Sequence, residues 1–166
     1  MEEITIVEDS DNIIGFKERE RLNPQDIYRV SALWIKNTEG KILLAKRAYT
    51  KKKHPGLWGP AVAGTIAKDE TYEQNIIKEA EEELGLLSIK LKKGPKQRVA
   101  SQDYNHFTQW FFLIIDKDSE DFVIDKKEVA EIRWFTKGEL LGLVKNNPSG
   151  VINSIKEINL LKSLLG

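Results

Sequence analysis

The sequence contains no cysteine, one methionine and only two histidines among its 166 residues. Without cysteine the chain has no disulfide, no thiolate metal site and no thiol nucleophile. It also lacks a net charge, because 26 Lys and Arg residues balance 26 Asp and Glu residues. A neutral chain has no overall attraction for nucleic acid or for an anionic membrane, so we expect neither as a partner.

Long hydrophobic runs are absent as well. The longest apolar run, over residues 110–115, is far shorter than the ~20 residues that a membrane span requires. The amino-terminal sequence MEEITIVEDSD is acidic, whereas signal and transit peptides are basic. We therefore expect a cytoplasmic protein whose length suits one domain over residues 1–166.

The order of apolar and polar residues predicts strands mixed with helices. Two hairpins are expected, one pairing residues 4–7 with residues 13–15 and the other pairing residues 29–36 with residues 41–46. Hairpins combined with helices favour an α/β or α+β fold, with a mixed sheet covered by helices. The other predicted elements are strands over residues 86–91, 110–116 and 131–135, helices over residues 69–84, 137–145 and 152–165, and a solvated, basic hairpin loop over residues 90–98.

The predicted helix over residues 69–84 carries an unusual acidic face. Glu79, Glu82 and Glu83 are spaced i, i+3 and i+4 and share one side, whereas Glu81 points elsewhere. Like charges at these spacings destabilise a helix by about 0.2–0.5 kcal/mol per pair, and the carboxyl end of a helix disfavours negative charge. Such a face is either solvated or offset by a cation. Mg²⁺ suits it, because this ion prefers carboxylate oxygens together with water and substrate phosphates.

The residues around the helix favour the cation. Gly64 is followed by five residues, Glu70, seven residues and the segment KEAEEELGL, which begins at Lys78 and ends at residue 86. This spacing resembles the signature of the Nudix hydrolases over residues 64–86. Two positions depart from it, since Lys78 stands where the family has Arg, and Ala80 is smaller than the usual branched aliphatic residue.

The resemblance implies an α/β fold, specifically an α/β/α sandwich with a mixed β-sheet. It implies hydrolysis of a diphosphate linkage, often in a nucleoside diphosphate derivative, with Mg²⁺ or Mn²⁺ as cofactor. Glu79, Glu82 and Glu83 become the catalytic metal ligands, one of them orienting or deprotonating water, and the backbone carbonyl near Gly64 becomes a further ligand.

Two other parts of the motif have a direct physical interpretation. A Cβ at Gly64 would obstruct the close approach of the backbone to the metal or phosphate. Glu70 is expected in the first turn of the helix, where its carboxylate can pair with Lys78 and hold the loop against the helix. Lys78 keeps the charge of Arg but not its planar, bidentate geometry, so we expect weaker attachment of the loop without loss of catalysis.

Looser patterns over residues 8–15, 28–30, 41–47 and 55–58 resemble the isopentenyl-diphosphate isomerase-like branch of the same family. Isomerases of that branch use a catalytic cysteine just before the motif, and this chain has none. Hydrolysis is therefore favoured over isomerisation. A Nudix-fold module that binds a phosphorylated ligand without turnover is the other alternative.

Several residues outside the motif are candidates for substrate binding. Arg47 could hold phosphate through its forked guanidinium group or lie in a solvated surface loop, and Trp58 could flank the substrate or pack against the helix. Tyr104, His106 and Phe107 could stack on a nucleobase, and His106 could act as an acid or base near neutral pH, although packing is the more frequent role of aromatic residues at strand ends. Glu128 and Glu131 could supply a base from across the site or be surface charges. The expected partner is a small-molecule diphosphate, bound by a monomer or a homodimer.

Overall fold

A long central strand, β3 (Ile27–Lys36), organises the sheet in the computed structural model, which describes residues 1–165. It pairs in antiparallel fashion with β1 (Glu3–Val7), β4 (Ile42–Arg47) and β6 (Val62–Thr65), and in parallel with β8 (Asn105–Ile114). The other elements are β2 (Ile13–Glu18) beside β1, β5 (Trp58–Pro60) and β9 (Val129–Phe135) beside β4, β7 (Lys92–Ala100) beside β8, and the helices α1 (Tyr72–Leu84), α2 (Lys137–Asn146) and α3 (Ile158–Leu165).

Helices cover both faces of this mixed sheet, which confirms the predicted α/β class. Alternate residues of β3 serve the two faces. Leu33 and Ile35 belong to a core that α1 covers, whereas Ala32 and Trp34 belong to a core that includes residues of α2 and α3. Among the apolar residues of α1, Ile76, Ala80 and Leu84 are fully buried, whereas Ile77 is 42% exposed.

Helix α1 begins three residues later than predicted. Thr71 caps its amino end by accepting a hydrogen bond from the Gln74 N–H, and the Gln74 side chain accepts one from the Thr71 N–H in return. Asp69 has a φ of 64°, which a helix does not allow. Glu70 therefore lies in the loop before α1 and not in its first turn. Gly85 ends the helix in the left-handed conformation, with a φ of 68°.

Two predictions in the middle of the chain are wrong. Residues 86–91 form no strand, because Leu86 is buried where the chain leaves α1 and Ser88 has a φ of 52°. Residues 92–100, most of which were expected in a solvated loop, form β7 instead. Its register shifts between Lys93 and Lys96, where Pro95 falls, and a basic strand with a proline is typical of a sheet edge.

The two predicted hairpins, the strands β8 and β9 and the helix α2 are confirmed, with ends that differ by a few residues. The predicted helix over residues 152–165 is shorter, because a 3-10 turn, Asn153–Ile155, precedes α3. Gly166, the last residue of the expected domain, lies outside the described residues. None of the helices in residues 1–165 is long and apolar enough to cross a membrane.

Candidate active site

A cleft of about 670 Å³ opens between α1, the central strands and three connecting loops. Glu79, Glu82 and Glu83 line it from α1, and Gly64 lines it from β6. Glu81 is exposed and does not line the cleft. The helical spacing of the acidic residues thus points three of the four carboxylates toward one space, as the sequence predicts.

In two of these carboxylates, Glu79 and Glu83, the ionised form is less stable than it would be in water. Burial, followed by the charge of Glu82, raises the pKa of Glu79 to about 7. Burial, followed by the charges of Glu79 and Glu128, raises the pKa of Glu83 to about 8. Negative groups that neither water nor a partner fully stabilises are the groups that a bound cation would stabilise.

Gly64 forms the opposite wall of this acidic group. A Cβ at this position would lie 2.6 Å from Glu79 Cγ and 2.7 Å from Asn75 Oδ1, distances shorter than any ordinary contact. Only glycine therefore lets the β6 backbone pass this close to α1. The backbone of residue 64 consequently borders the same space as the carboxylates.

Asn75 fixes the position of this wall, and the sequence did not single it out. It is fully buried, its Nδ2 donates to the carbonyl of Thr65 over 3.1 Å, and its Oδ1 accepts a 2.5 Å hydrogen bond from Ser31 Oγ. A polar residue one turn before Glu79, beside the apolar face of α1, was the available signal. Its hydrogen-bond partners lie on β3 and β6, which are separate segments of the chain. The sequence alone therefore could not identify them.

The loop before α1 is tied down by Glu70. Lys78 Nζ lies 2.6 Å from Glu70 Oε2, and Glu70 Oε1 accepts hydrogen bonds from the Ala67 N–H and from Asn75 Nδ2, each over 2.9 Å. Burial alone would raise the pKa of Glu70, but these three hydrogen bonds outweigh it and hold the pKa below its usual value. Lys78 Nζ is also 3.9 Å from Glu79 Oε1, so the lysine contacts the acidic group as well.

We expect Lys78→Met to lower the free energy of unfolding by about 0.5–1 kcal/mol near pH 7, a modest loss because Lys78 is 41% exposed. The midpoint of thermal unfolding should fall by about 2–4 °C. The lowered pKa of Glu70 makes this contribution present above the ordinary glutamate value of 4.5 and lost as the pH falls through the folded-state value. Unfolding near pH 7 and again at a pH below the folded-state pKa of Glu70 measures both effects, and we expect a difference only at the higher pH.

Lys52→Met is the matched control for Lys78→Met. Lys52 is exposed, and no ion pair of its side chain occurs within residues 1–165. The control should unfold like the wild type at both pH values. Equal stability of Lys78→Met and wild type near pH 7, together with unchanged hydrolysis, would remove the lysine from this role.

A fourth carboxylate, Glu128, faces the acidic residues from the end of the loop that precedes β9. It lines the cleft and raises the pKa of Glu83. Lys51 Nζ holds its Oε2 over 2.6 Å, and its backbone carbonyl accepts a hydrogen bond from the Ala48 N–H. Glu131 instead pairs with Lys46 over 3.6 Å and does not line the cleft. Of the two acidic residues considered outside the motif, only Glu128 is therefore near the site.

Arg47 and His106 line the cleft, but Trp58 does not. Trp58 is 8% exposed and its ring packs edge-on against Phe135, which agrees with the packing alternative that the sequence left open. Arg47 is anchored by a hydrogen bond from its Nε to the carbonyl of Lys53. Burial lowers the pKa of His106 to about 4, so the ring is neutral near pH 7 and unsuited to acid catalysis there.

The residues present fit a hard divalent cation. The donor set consists of carboxylates and a glycine backbone, which is the chemistry that Mg²⁺ and Mn²⁺ prefer. No three acidic or histidine side chains within residues 1–165 are grouped closely enough to hold an ion by themselves. An ion bound by these carboxylates would therefore take further ligands from the backbone near Gly64, from water and from substrate phosphates.

Comparisons with known proteins extend over most of the chain. A sequence model of the NUDIX domain matches residues 27–155. The uncharacterized Nudix hydrolase lmo0368 of Listeria monocytogenes is 33% identical over 124 residues, which cover 75% of this chain and 72% of that protein. The prenyl-diphosphate phosphatase of Methanosarcina mazei is 28% identical over 156 residues, 93% of this chain and 91% of that protein. The crystal structure of DR0079 from Deinococcus radiodurans has a TM-score of 0.82 at 20% identity, covering 95% of this chain and 96% of that one.

Proposed function

The chain belongs to the Nudix hydrolase family, and from this premise we propose that it cleaves the diphosphate linkage of a nucleoside diphosphate-type substrate with Mg²⁺ or Mn²⁺. The observation that carries the proposal is the group of strained carboxylates, with the pKa values of Glu79 and Glu83 raised to about 7 and about 8. Acidic residues placed this way destabilise a protein unless a cation joins them. In phosphoryl transfer such a cation neutralises phosphate charge and activates the attacking water.

Several charged residues of the cleft would have a defined role in this reaction. Glu79, Glu82 and Glu83 would hold the ion, together with the backbone at Gly64. When bound, the ion supplies charge neutralisation for the phosphates and lowers the pKa of a coordinated water. Arg47 and Lys51 would bind phosphate oxygens that the ion leaves uncovered.

Glu128 is our candidate for the general base. In the structure its Oε2 accepts a hydrogen bond from Lys51 Nζ, and the residue lines the cleft. When phosphate oxygens take over Lys51, this oxygen would become free to accept a proton from the attacking water. A general base must lie within hydrogen-bond reach of the proton that it removes, so the attacking water would have to lie beside Glu128.

A prenyl diphosphate is the second candidate substrate. Apolar side chains form part of the cleft wall, among them Val30, Trp110 and Ile152. The Methanosarcina mazei relative that matches 93% of this chain is a prenyl-diphosphate phosphatase. An isoprenoid chain would bury its methyl groups against that wall, at about 25 cal/mol per Å² of apolar surface removed from water.

A substrate panel tests the function. The full chain would be incubated with nucleoside diphosphate sugars, dinucleoside diphosphates and geranyl diphosphate, in Mg²⁺, in Mn²⁺ or in EDTA, and the products separated by ion-exchange chromatography. We expect metal-dependent release of a nucleoside monophosphate from at least one nucleotide substrate. Turnover of geranyl diphosphate alone would select the second candidate, and tight binding without product in either metal would contradict an enzyme.

A further inference from the structure

Four aromatic and imidazole rings line one part of the cleft and contact one another in series. We call this group the ring ladder, and it consists of Tyr28, His106, Tyr104 and His54. Tyr28 and His106 have ring centroids 5.1 Å apart, His106 and Tyr104 meet edge to face at 6.1 Å, and Tyr104 and His54 stack at 5.3 Å. These spacings are those of interacting aromatic pairs.

The ladder is built from segments that are far apart in sequence. Tyr28 lies directly opposite His106 in the parallel pairing of β3 with β8. Tyr104 lies in the turn before β8, and its hydroxyl group is 2.5 Å from Nε2 of His54, in the loop between β4 and β5. Because both loops are joined by this hydrogen bond, the rings are positioned before any ligand arrives. A ligand that stacks on them therefore loses little affinity to ordering of the protein.

The two imidazole rings are neutral near pH 7, and most of the charged side chains around the ladder are cationic, with Asp103 as an acidic neighbour of His54 and Tyr104. Burial lowers the pKa of His106 to about 4, and burial followed by the nearby charge of Arg47 lowers the pKa of His54. Lys53 Nζ lies 5.2 Å from the centre of the Tyr104 ring, and Arg98 lines the same cleft. These cations would repel a positively charged ligand, whereas a neutral or anionic ligand would not be repelled.

The chemistry of the ladder favours a planar, polar group over an aliphatic chain. A nucleobase can stack on a tyrosine or histidine ring and also exchange hydrogen bonds with its hydroxyl or ring nitrogen. An isoprenoid chain would gain only the apolar part of this contact, because it can exchange no hydrogen bond with the hydroxyl groups or ring nitrogens. Base stacking on an aromatic side chain contributes about 1–3 kcal/mol.

We propose that the ring ladder is the subsite for the base of the substrate, that it takes an uncharged nucleobase, and that it disfavours a positively charged ring. This inference rests on the proposed function for the identity of the nucleoside half. It assigns the choice of substrate to Tyr104 and its neighbours, and the cleavage to the carboxylates of α1. The two parts of the cleft can therefore be tested separately.

The test measures binding without hydrolysis. Dissociation constants would be determined by calorimetry in EDTA for the four common ribonucleoside 5′-monophosphates, nicotinamide mononucleotide and ribose 5-phosphate. In the wild type, at least one neutral base should bind more tightly than nicotinamide mononucleotide, whose ring is cationic, and more tightly than ribose 5-phosphate. Tyr104→Leu should weaken the neutral-base ligand by about 5- to 100-fold, the range that base stacking implies, and leave ribose 5-phosphate unchanged.

Two further variants separate stacking from structure. Tyr104→Phe keeps the ring but loses the hydrogen bond to His54, so it should retain affinity within about threefold if stacking dominates. Tyr49→Leu is the matched control, because Tyr49 is a 70% exposed ring that does not line the cleft. It should bind every ligand as the wild type does.

Three results would overturn the inference. These are equal binding of nicotinamide mononucleotide and the neutral bases, loss of ribose 5-phosphate binding in Tyr104→Leu to the same degree as base binding, and unchanged base binding in Tyr104→Leu. Failure here is distinguishable from failure of the proposed function. If Tyr104→Leu hydrolyses nucleotides as well as the wild type, the proposed function stands and the ring ladder is not the base subsite. If the protein binds bases but hydrolyses nothing, the subsite stands and the proposed function is contradicted.

Discussion

Replacing Glu83 by glutamine is expected to lower kcat/KM for diphosphate hydrolysis by about 100-fold or more while the protein stays folded. Losing a group that only supports a metal ligand commonly lowers activity 10- to 100-fold, and Glu83 would contact the ion itself. Glutamine has the size of glutamate but carries no charge, so the shape of the cleft is preserved. Steady-state kinetics in saturating Mg²⁺ measures the effect, and we expect Glu82→Gln to behave similarly.

The stability of Glu83→Gln should change in the opposite direction to its activity. The pKa of Glu83, raised to about 8, means that its ionised form is less stable in the folded protein than in the unfolded chain. In metal-free buffer above pH 8 the variant should therefore unfold at a higher temperature than the wild type. The difference should shrink as the pH falls toward the ordinary value of 4.5, because both states then bind the proton.

Glu81→Gln is the matched control for this experiment. Glu81 lies on the same helix and has the same chemistry, but it is exposed and does not line the cleft. Its activity and its pH profile of unfolding should equal those of the wild type. Activity of Glu83→Gln within a few fold of the Glu81→Gln control would exclude Glu83 as a metal ligand.

Gly64→Ala is expected to damage both stability and activity. The new methyl group would lie 2.6 Å from Glu79 Cγ and 2.7 Å from Asn75 Oδ1. Glu79 can move aside at its flexible end, but Asn75 is held by Ser31 and Thr65, so the backbone must shift instead. Overpacking of this kind lowers the free energy of unfolding by about 1–3 kcal/mol, and displacement of Glu79 should lower kcat as well.

Gly142→Ala supplies the contrast to Gly64→Ala. A Cβ at Gly142 meets nothing within 4 Å, and the residue lies inside α2. Alanine is favoured over glycine in a helix by about 1 kcal/mol, so this variant should be slightly more stable and fully active. Chemical denaturation and initial rates of all three proteins give the comparison. A Gly64→Ala protein as stable and active as wild type would show that the close approach of β6 to α1 has no functional role.

The acidic helix could be predicted from the sequence because its signals are local. The spacing of Glu79, Glu82 and Glu83 fixes one helical face, and Gly85 marks the end of the helix with its left-handed turn. The beginning was harder to place. Asp69 carries a positive φ that nothing in its neighbours required, and the helix therefore starts at the Thr71 cap.

The residues that were missed or misplaced depend on contacts between distant segments. The strand β7 has no apolar alternation over its first half, and it forms because β8 offers a free edge. Tyr28 and His106 meet only through the parallel pairing of β3 with β8. The sequence left the role of Trp58 open between packing and substrate contact, because its burial depends on Phe135 of β9. Register and sheet order decide all three cases, and a single sequence does not encode them in any short window.

Binding of Mn²⁺ to the purified protein tests the central claim most directly, because it needs no knowledge of the substrate. Electron paramagnetic resonance reports the free ion, so titration of wild type, Glu81→Gln and Glu83→Gln compares their affinities under identical conditions. We predict that wild type and Glu81→Gln bind Mn²⁺ equally and that Glu83→Gln binds at least about tenfold more weakly. Equal binding by all three proteins, or none by the wild type even with a nucleoside diphosphate present, would contradict the assignment of the α1 carboxylates as a metal site.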